Sequence, residues 1–192
     1  MFDAFPTGLG TASLGTIVAL WLASLVLYNA TGFAVELVAP PPRRLPDLGH
    51  ALLPRWLWLA RVTDAVGPLA LGWTLWPWLV GGDVAVTRWV LAWVTAGFVL
   101  STTLHVGTVI GDSRRQSGFG GTVDSLLSNH TFNFGVWAYA VAQVHGLSDA
   151  LVVGALAAYG LAVLASREHY TVDVVLAWWC VGFLAAFERA AS

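Results

Sequence analysis

The stretch SREHYTVDVVLAWW, residues 166–179, contains both the sign of a membrane helix and the sign of a reactive site. From Thr171 onward it is mostly apolar, yet His169 and Asp173 lie four residues apart where the apolar run begins. Residues at i and i+4 share a helical face, so Asp173 can hydrogen-bond the imidazole of His169. A carboxylate behind a histidine fixes the ring tautomer and raises its basicity, as in an activated base or nucleophile. The alternative is a pair that only caps the helix.

The composition is that of a membrane protein. The 192 residues are 57 % hydrophobic and 10 % charged, whereas soluble domains have about 25 % charged residues. Eleven tryptophans fit the aromatic anchors of a membrane interface. The net charge of −2 gives no indication of nucleic-acid binding. The single cysteine, Cys180, excludes a disulfide framework and a cysteine-based metal site.

Six apolar segments are separated by polar or glycine-rich loops. A membrane span needs about 20 mostly apolar residues, and these runs are too continuous for the strands of a barrel. The sequence therefore predicts an all-α integral membrane protein, a single domain over residues 1–192 in which six transmembrane helices form one bundle. The predicted spans are 12–38, 56–80, 85–110, 126–145, 149–166 and 171–188.

Six spans place the polar features unequally on the two membrane faces. One face carries the loops 39–55, 111–125 and 166–170. Four of the five histidines fall on this face. Such clustering predicts an active site at one membrane surface, covered by loops. The four histidines are His50, His105, His130 and His169.

The second reactive element is DSLLSNHTFNFG, residues 124–135. Ser128 or Asn129 can cap the fourth span, which leaves His130 in its first turn. Helix N-termini favour anions, so a histidine there lies beside a potential phosphate-binding site. His130 could protonate a leaving oxygen and then deprotonate an incoming hydroxyl. Ser128 and Asn129 are candidates for binding the phosphate or headgroup.

Three arginines on the same face are candidate phosphate ligands, because the guanidinium group is the natural bidentate partner of phosphate. The alternative is that they meet anionic lipid headgroups at the membrane surface. A further arginine, Arg61, lies one helical turn from Asp64 inside the second span, where the two can neutralise each other. The three candidate ligands are Arg114, Arg115 and Arg167.

These residues resemble a known family. HYTVDVV (169–175), followed by AWW (177–179), looks very like the last signature of the sphingomyelin synthase family, within the lipid phosphate phosphatase superfamily. DSLLSNHT (124–131) resembles the preceding signature, with an asparagine in place of its glycine. LPDLGH (45–50) and TTLHVG (102–107) are similar to two further motifs of the family.

The resemblance implies a mechanism without metal or cofactor. His169 would attack the lipid phosphorus to form a phosphohistidine, with Asp173 orienting it. His130 would protonate the departing diacylglycerol oxygen and then activate the acceptor, a lipid hydroxyl or water. Asp124 would orient His130 or help bind a headgroup. The reaction would move a phosphorylated headgroup from a glycerophospholipid donor to a lipid hydroxyl acceptor.

Other functions stay open at this point. The same histidines and aspartate would serve a phospholipase C-like hydrolase or a lipid monophosphate phosphatase. A different class is a membrane binding or transport protein in which His105, His130 and His169 ligate a metal or haem.

The orientation is predicted differently by two arguments. Six of the nine arginines lie on the active face, so the positive-inside rule would place this face in the cytoplasm. The resemblance implies the opposite, with both termini in the cytoplasm. Arginines that bind the substrate phosphate would not report the orientation of the protein, so the positive-inside rule would not apply to them. We therefore expect a multi-pass protein of a bacterial plasma membrane with an extracytoplasmic active face.

Overall fold

The computed structural model describes residues 12–38, 46–82, 84–107, 110–111, 123–124 and 127–191. Within these ranges the chain forms seven helices and one pair of two-residue antiparallel strands. The elements in chain order are α1 (Leu14–Val38), α2 (Leu48–Leu52), α3 (Leu59–Leu79), α4 (Ala85–Gly107), β1 (Ile110–Gly111), β2 (Val123–Asp124), α5 (Asn129–His145), α6 (Asp149–Ala165) and α7 (Thr171–Ala191).

The prediction of an all-helical fold is confirmed, apart from the one small pair of strands. Six long helices occupy the regions of the six predicted spans. Among the described residues, three are long and apolar enough to cross a membrane: Leu14–Val35, Ala85–Leu104 and Thr171–Ala190. α6 is apolar but shorter.

Some predicted boundaries were wrong. The third span was predicted to reach residue 110, but Ile110 pairs with Asp124 in the small sheet. The fourth was predicted from residue 126, but Ser128 caps α5, which begins at Asn129. The short helix α2 was not predicted, because its five residues lie in a proline-containing loop and are held by contacts with distant parts of the chain.

α5 lies at the centre of the helices. It contacts α3, α4, α6 and α7, while α1 packs along α4. The main core forms where α4, α5 and α7 meet, around Trp89, Val136, Tyr139 and Val181. Because α5 is surrounded, its first turn lies where several other elements can contribute side chains to a site.

α5 packs closely against α7 at Gly135. A Cβ atom there would lie 2.5 Å from Cγ2 of Val181, closer than van der Waals contact permits. Gly154 of α6 has no atom within 4 Å of the corresponding position. Packing therefore requires glycine at position 135 but not at position 154.

We predict that Gly135→Ala destabilises the protein, because overpacking typically costs about 1–3 kcal/mol. Gly154→Ala, its matched control, should leave the stability unchanged or slightly raised, since alanine favours a helix by up to about 1 kcal/mol over glycine. Apparent melting temperatures in detergent measure both effects. Equal melting temperatures for the two variants would contradict the close α5–α7 packing.

Candidate active site

His169 and Asp173 meet at the start of α7. Nδ1 of His169 lies 3.5 Å from Oδ2 of Asp173, slightly long for a hydrogen bond. The same Oδ2 accepts the backbone N–H of Tyr170 at 3.0 Å, and the Asp173 side chain is fully buried. Asp173 therefore both caps α7 and contacts the ring, so the predicted cap and the predicted contact with the imidazole are both present.

His130 faces His169 from the first turn of α5. Nδ1 of His130 lies 3.3 Å from Nε2 of His169. Ser128 is the residue that caps α5, and its Oγ accepts the N–H of Thr131 at 3.2 Å. The His169 nitrogen that points at His130 is thus the one turned away from Asp173.

A backbone hydrogen bond joins the two histidine segments. The N–H of Ser128 donates to the carbonyl oxygen of Asp173 at 3.2 Å. Asn129 is nine-tenths buried and its Oδ1 accepts from Ser101 of α4 at 2.9 Å. The start of α5 is therefore fixed to both α7 and α4, which sets the separation of the two rings.

Two carboxylates beside His130 were missed by the sequence analysis. Oδ1 of Asp64 lies 3.3 Å from Nε2 of His130, and Oε1 of Glu168 lies 4.0 Å from the same nitrogen. Asp64 was interpreted as a partner of Arg61 within the second span, and Glu168 received no role. The signal that could have found them is their charge: an acidic residue inside a span or next to a candidate nucleophile is costly and usually functional.

Glu168 is held by hydroxyl groups. Its Oε2 accepts a short hydrogen bond from Thr63 and another, 2.8 Å long, from Ser166. Tyr159 donates to the carbonyl oxygen of Thr63 at 3.0 Å. With Oε2 engaged by these donors, Oε1 is the oxygen presented to His130.

The structure places the remaining candidates as follows. Arg167 has a positive φ of 66° and donates from Nη2 to the carbonyl oxygen of Leu53 at 3.0 Å. For Asp124, only the backbone in β2 is described. Arg114 and Arg115 lie outside the described residues, so their predicted phosphate-binding role stays a prediction.

A metal could be held here by a different set of ligands from the predicted histidines. Asp64, His130 and Glu168 each offer one ligand atom, and these atoms lie within 4.8 Å of one another. The His105 side chain lies outside the described part of the chain. An imidazole with two carboxylates is a donor set that suits zinc and other first-row divalent ions.

The site is thus a row of ionisable groups. Asp173 backs His169, the two histidines face each other, and Asp64 and Glu168 back His130. A ring with a carboxylate on one nitrogen presents the other nitrogen as a base or, when protonated, as an acid. The row therefore offers two proton-active nitrogens that point at one space.

Residues 123–190 match the family model for the C-terminal part of the PAP2 superfamily. The matched region includes both histidines and Asp173. The match supports the lipid phosphate phosphatase superfamily, and with it a phosphatase-type or phosphotransferase-type enzyme associated with a membrane. It does not distinguish the sphingomyelin synthase family within that superfamily. No curated protein matches the sequence.

We predict that Ser128→Ala destabilises the start of α5. Loss of a serine N-cap costs about 1 kcal/mol, which should appear as a lower apparent melting temperature in detergent. Ser148→Ala is the matched control, because Ser148 precedes α6 without a side-chain capping hydrogen bond. An equal loss in both variants would argue against the capping role.

Proposed function

We propose that the protein is a membrane phosphotransferase that moves a phosphorylated headgroup from a glycerophospholipid to a lipid hydroxyl. The observation that carries the proposal is the contact of 3.3 Å between Nδ1 of His130 and Nε2 of His169, with Asp173 behind the second ring. Phosphoryl transfer needs an in-line nucleophile and an acid for the leaving oxygen. Two facing imidazoles supply both roles.

In the first half-reaction, Nε2 of His169 attacks the phosphorus. A P–N bond forms and the P–O bond to diacylglycerol breaks. Nδ1–H of His130 gives its proton to the departing oxygen, so diacylglycerol leaves neutral. Asp173 keeps the proton of His169 on Nδ1 and stabilises the positive charge that develops on the ring.

In the second half-reaction, the acceptor hydroxyl loses its proton to Nδ1 of His130. Its oxygen attacks the phosphohistidine, the P–N bond breaks, and His169 regains its lone pair. Asp64 and Glu168 stabilise the protonated form of His130, which is present before the first step and is restored by the second. With water as acceptor, the same steps give a phospholipase C-like hydrolase.

A phosphoryl group needs more space than the contact between the rings leaves. His130 is the ring that can rotate to admit it, because its side chain is about a third exposed whereas that of His169 is 7 % exposed. Near-attack geometry requires about 3–3.5 Å between nucleophile and phosphorus. Rotation of His130 therefore belongs to substrate binding.

The carboxylates around the histidines favour a phosphodiester over a monoester. A phosphate monoester carries close to two negative charges at neutral pH, and each is repelled by Asp64, Glu168 and Asp173. A diester carries one. This charge balance supports headgroup transfer over the lipid monophosphate phosphatase, while Arg114, Arg115 and the N-terminus of α5 are candidates to offset the remaining charge.

Membrane crossing by all six long helices completes the proposal. α5 and α6 have 17 residues each, about 25 Å of helix, which is slightly short of a bilayer core of about 30 Å. A single six-helix domain with both histidines at its extracytoplasmic face would place them at the depth of the lipid phosphate.

A divalent metal centre is the second candidate function. It is favoured by the convergence of Asp64, His130 and Glu168, and by the hydroxyl groups that hold the second oxygen of Glu168. Ligating carboxylates are commonly fixed by such outer hydrogen bonds. The metal would bind Nε2 of His130, so Asp64 and Glu168 would serve as its ligands and would not stabilise a protonated His130.

We predict that the wild type in liposomes of mixed phospholipids produces diacylglycerol, and that His169→Ala abolishes this product. His130→Ala should lower the rate by about 10²–10⁴-fold, the usual contribution of general acid–base catalysis. His145→Ala is the control, because His145 is an exposed histidine at the opposite end of α5. Lipid mass spectrometry measures the products.

The companion product distinguishes the variants of the reaction. A new phospholipid identifies a transferase, and a free phosphorylated headgroup identifies a hydrolase. Consumption of phosphatidic acid alone with release of inorganic phosphate would favour the phosphatase. Diacylglycerol formation unchanged in His169→Ala would overturn the mechanism.

We predict that the purified wild type holds no stoichiometric transition metal and that chelators leave its lipid turnover unchanged. Elemental analysis and turnover after EDTA treatment test this. One metal per chain, lost in both Asp64→Asn and Glu168→Gln but kept in Asp149→Asn, would instead establish the metal centre. Asp149 is an exposed carboxylate paired with Arg189, and it belongs to neither the His130 nor the His169 cluster.

A further inference from the structure

The segment around α2 holds the start of α7 through Asp47. Oδ2 of Asp47 accepts the backbone N–H of Thr171 at 2.6 Å, and Oδ1 accepts its hydroxyl at 2.8 Å. Oδ1 also accepts the N–H of His50 at 2.8 Å, which caps α2. One carboxylate therefore caps both α2 and α7, although Asp47 and Thr171 are 124 positions apart in sequence.

His50 reaches the backbone of His169 itself. Its Nε2 lies 2.9 Å from the carbonyl oxygen of His169. A carbonyl only accepts, so Nε2 must carry the proton. His169 is thereby held at its carbonyl by His50 and on its ring by Asp173, and Asp47 holds the backbone two residues later, at Thr171.

Gly49 permits this close approach. Its N–H donates to the Thr171 hydroxyl at 2.9 Å. A Cβ atom at position 49 would lie 2.5 Å from the same hydroxyl oxygen. Thr171 Oγ1 therefore lies in a tight polar junction between Gly49 and Asp47. Position 49 has no space for a residue larger than glycine.

The protonation states of Asp47 and His50 near neutral pH fit the hydrogen bonds of this junction. Burial opposes ionisation of Asp47, but the hydrogen bonds from Thr171 and His50 outweigh it and hold the pKa of this carboxyl below its usual value. Burial lowers the pKa of His50, partly offset by its bond to the His169 carbonyl. At neutral pH, Asp47 is thus an anion that only accepts, and His50 is a neutral donor.

We infer that Asp47 and His50 are positioning residues that fix the backbone of His169, so that its Nε2 is aimed at the reacting phosphorus. The inference rests on the proposed role of His169 as the nucleophile. It assigns a chemical purpose to LPDLGH (45–50), which lies far from both histidine signatures in sequence. Neither residue touches the substrate; each acts through Thr171 or the His169 carbonyl.

The matched pair Thr171→Val and Thr171→Ser tests the role of the junction. Valine keeps the shape of threonine but removes the hydroxyl that bonds Asp47 and Gly49, whereas serine keeps it. We expect Thr171→Val to slow phosphoenzyme formation in a single turnover by about 10–100-fold, with the lipid KM unchanged. Thr171→Ser should retain a rate within about threefold of wild type. These changes follow the sensitivity of catalysis to small displacements of a positioned group.

A second readout does not depend on activity. His169 is buried, so its modification by diethyl pyrocarbonate, followed by peptide mass spectrometry, should be slow in wild type and in Thr171→Ser. It should be at least severalfold faster in Thr171→Val and in Asp47→Ala. His145, which is exposed, serves as the internal control for reagent activity.

The outcomes separate the two proposals. Slow turnover and fast modification in Thr171→Val, both restored in Thr171→Ser, support the positioning role. Wild-type values in Thr171→Val for both readouts, or equal losses in the valine and serine variants, would overturn it. If wild type forms no phosphoenzyme but the modification rates follow the expected order, the proposed function fails while the positioning of His169 by this junction stands.

Discussion

The fully buried carboxylate of Asp173 is the group on which the arrangement of the site depends. A buried charge is costly unless hydrogen bonds and an opposite partner compensate it. Here the N–H of Tyr170 and the ring of His169 meet the same oxygen. The start of α7 and the orientation of His169 are therefore stabilised together. The carbonyl of the same residue accepts from Ser128, which ties the capping residue of α5 to this point.

The two histidines differ in how tightly they are held. His169 is buried and fixed at its ring and its main chain, whereas His130 is partly exposed and contacts two carboxylates through one nitrogen. In the proposed reaction these differences fit the two roles. A nucleophile gains from a fixed direction of attack, and a residue that exchanges protons with two successive oxygens needs some freedom of rotation.

The proposed location at a membrane surface places a particular demand on such a site. In lipid, the polar groups at a helix N-terminus need partners from the protein itself. Asp173, Ser128 and Asp47 supply these partners at α7, α5 and α2. The same short polar side chains that satisfy the helix ends also fix the segments that carry the two imidazoles. Helix capping and assembly of the site therefore depend on the same residues.

Whether a feature could be predicted depended on how far apart in sequence the interacting residues lie. The six long helices, the N-cap at Ser128 and the contact between His169 and Asp173 could all be predicted, because they depend on residues within a few positions of one another. The boundary at residue 110 was wrong because Ile110 pairs with Asp124 in the small sheet, and the boundary at 126 lay two residues before the predicted cap, Ser128. The contact of Asp64 with His130 was missed for a similar reason, because Arg61 is the neighbour of Asp64 on the helix whereas His130 is close to it only in the fold.

The sequence by itself determined the helical class, the positions of the long helices and the pairing of His169 with Asp173. Helical periodicity, hydropathy and capping are local, and each is readable from a short window of residues. Only the tertiary structure decided that His130 faces His169, that Asp64 and Glu168 lie behind His130, and that Asp47 caps α7. These contacts join segments up to 124 positions apart, and they depend on how the helices pack around α5, for which the sequence carries no local signal.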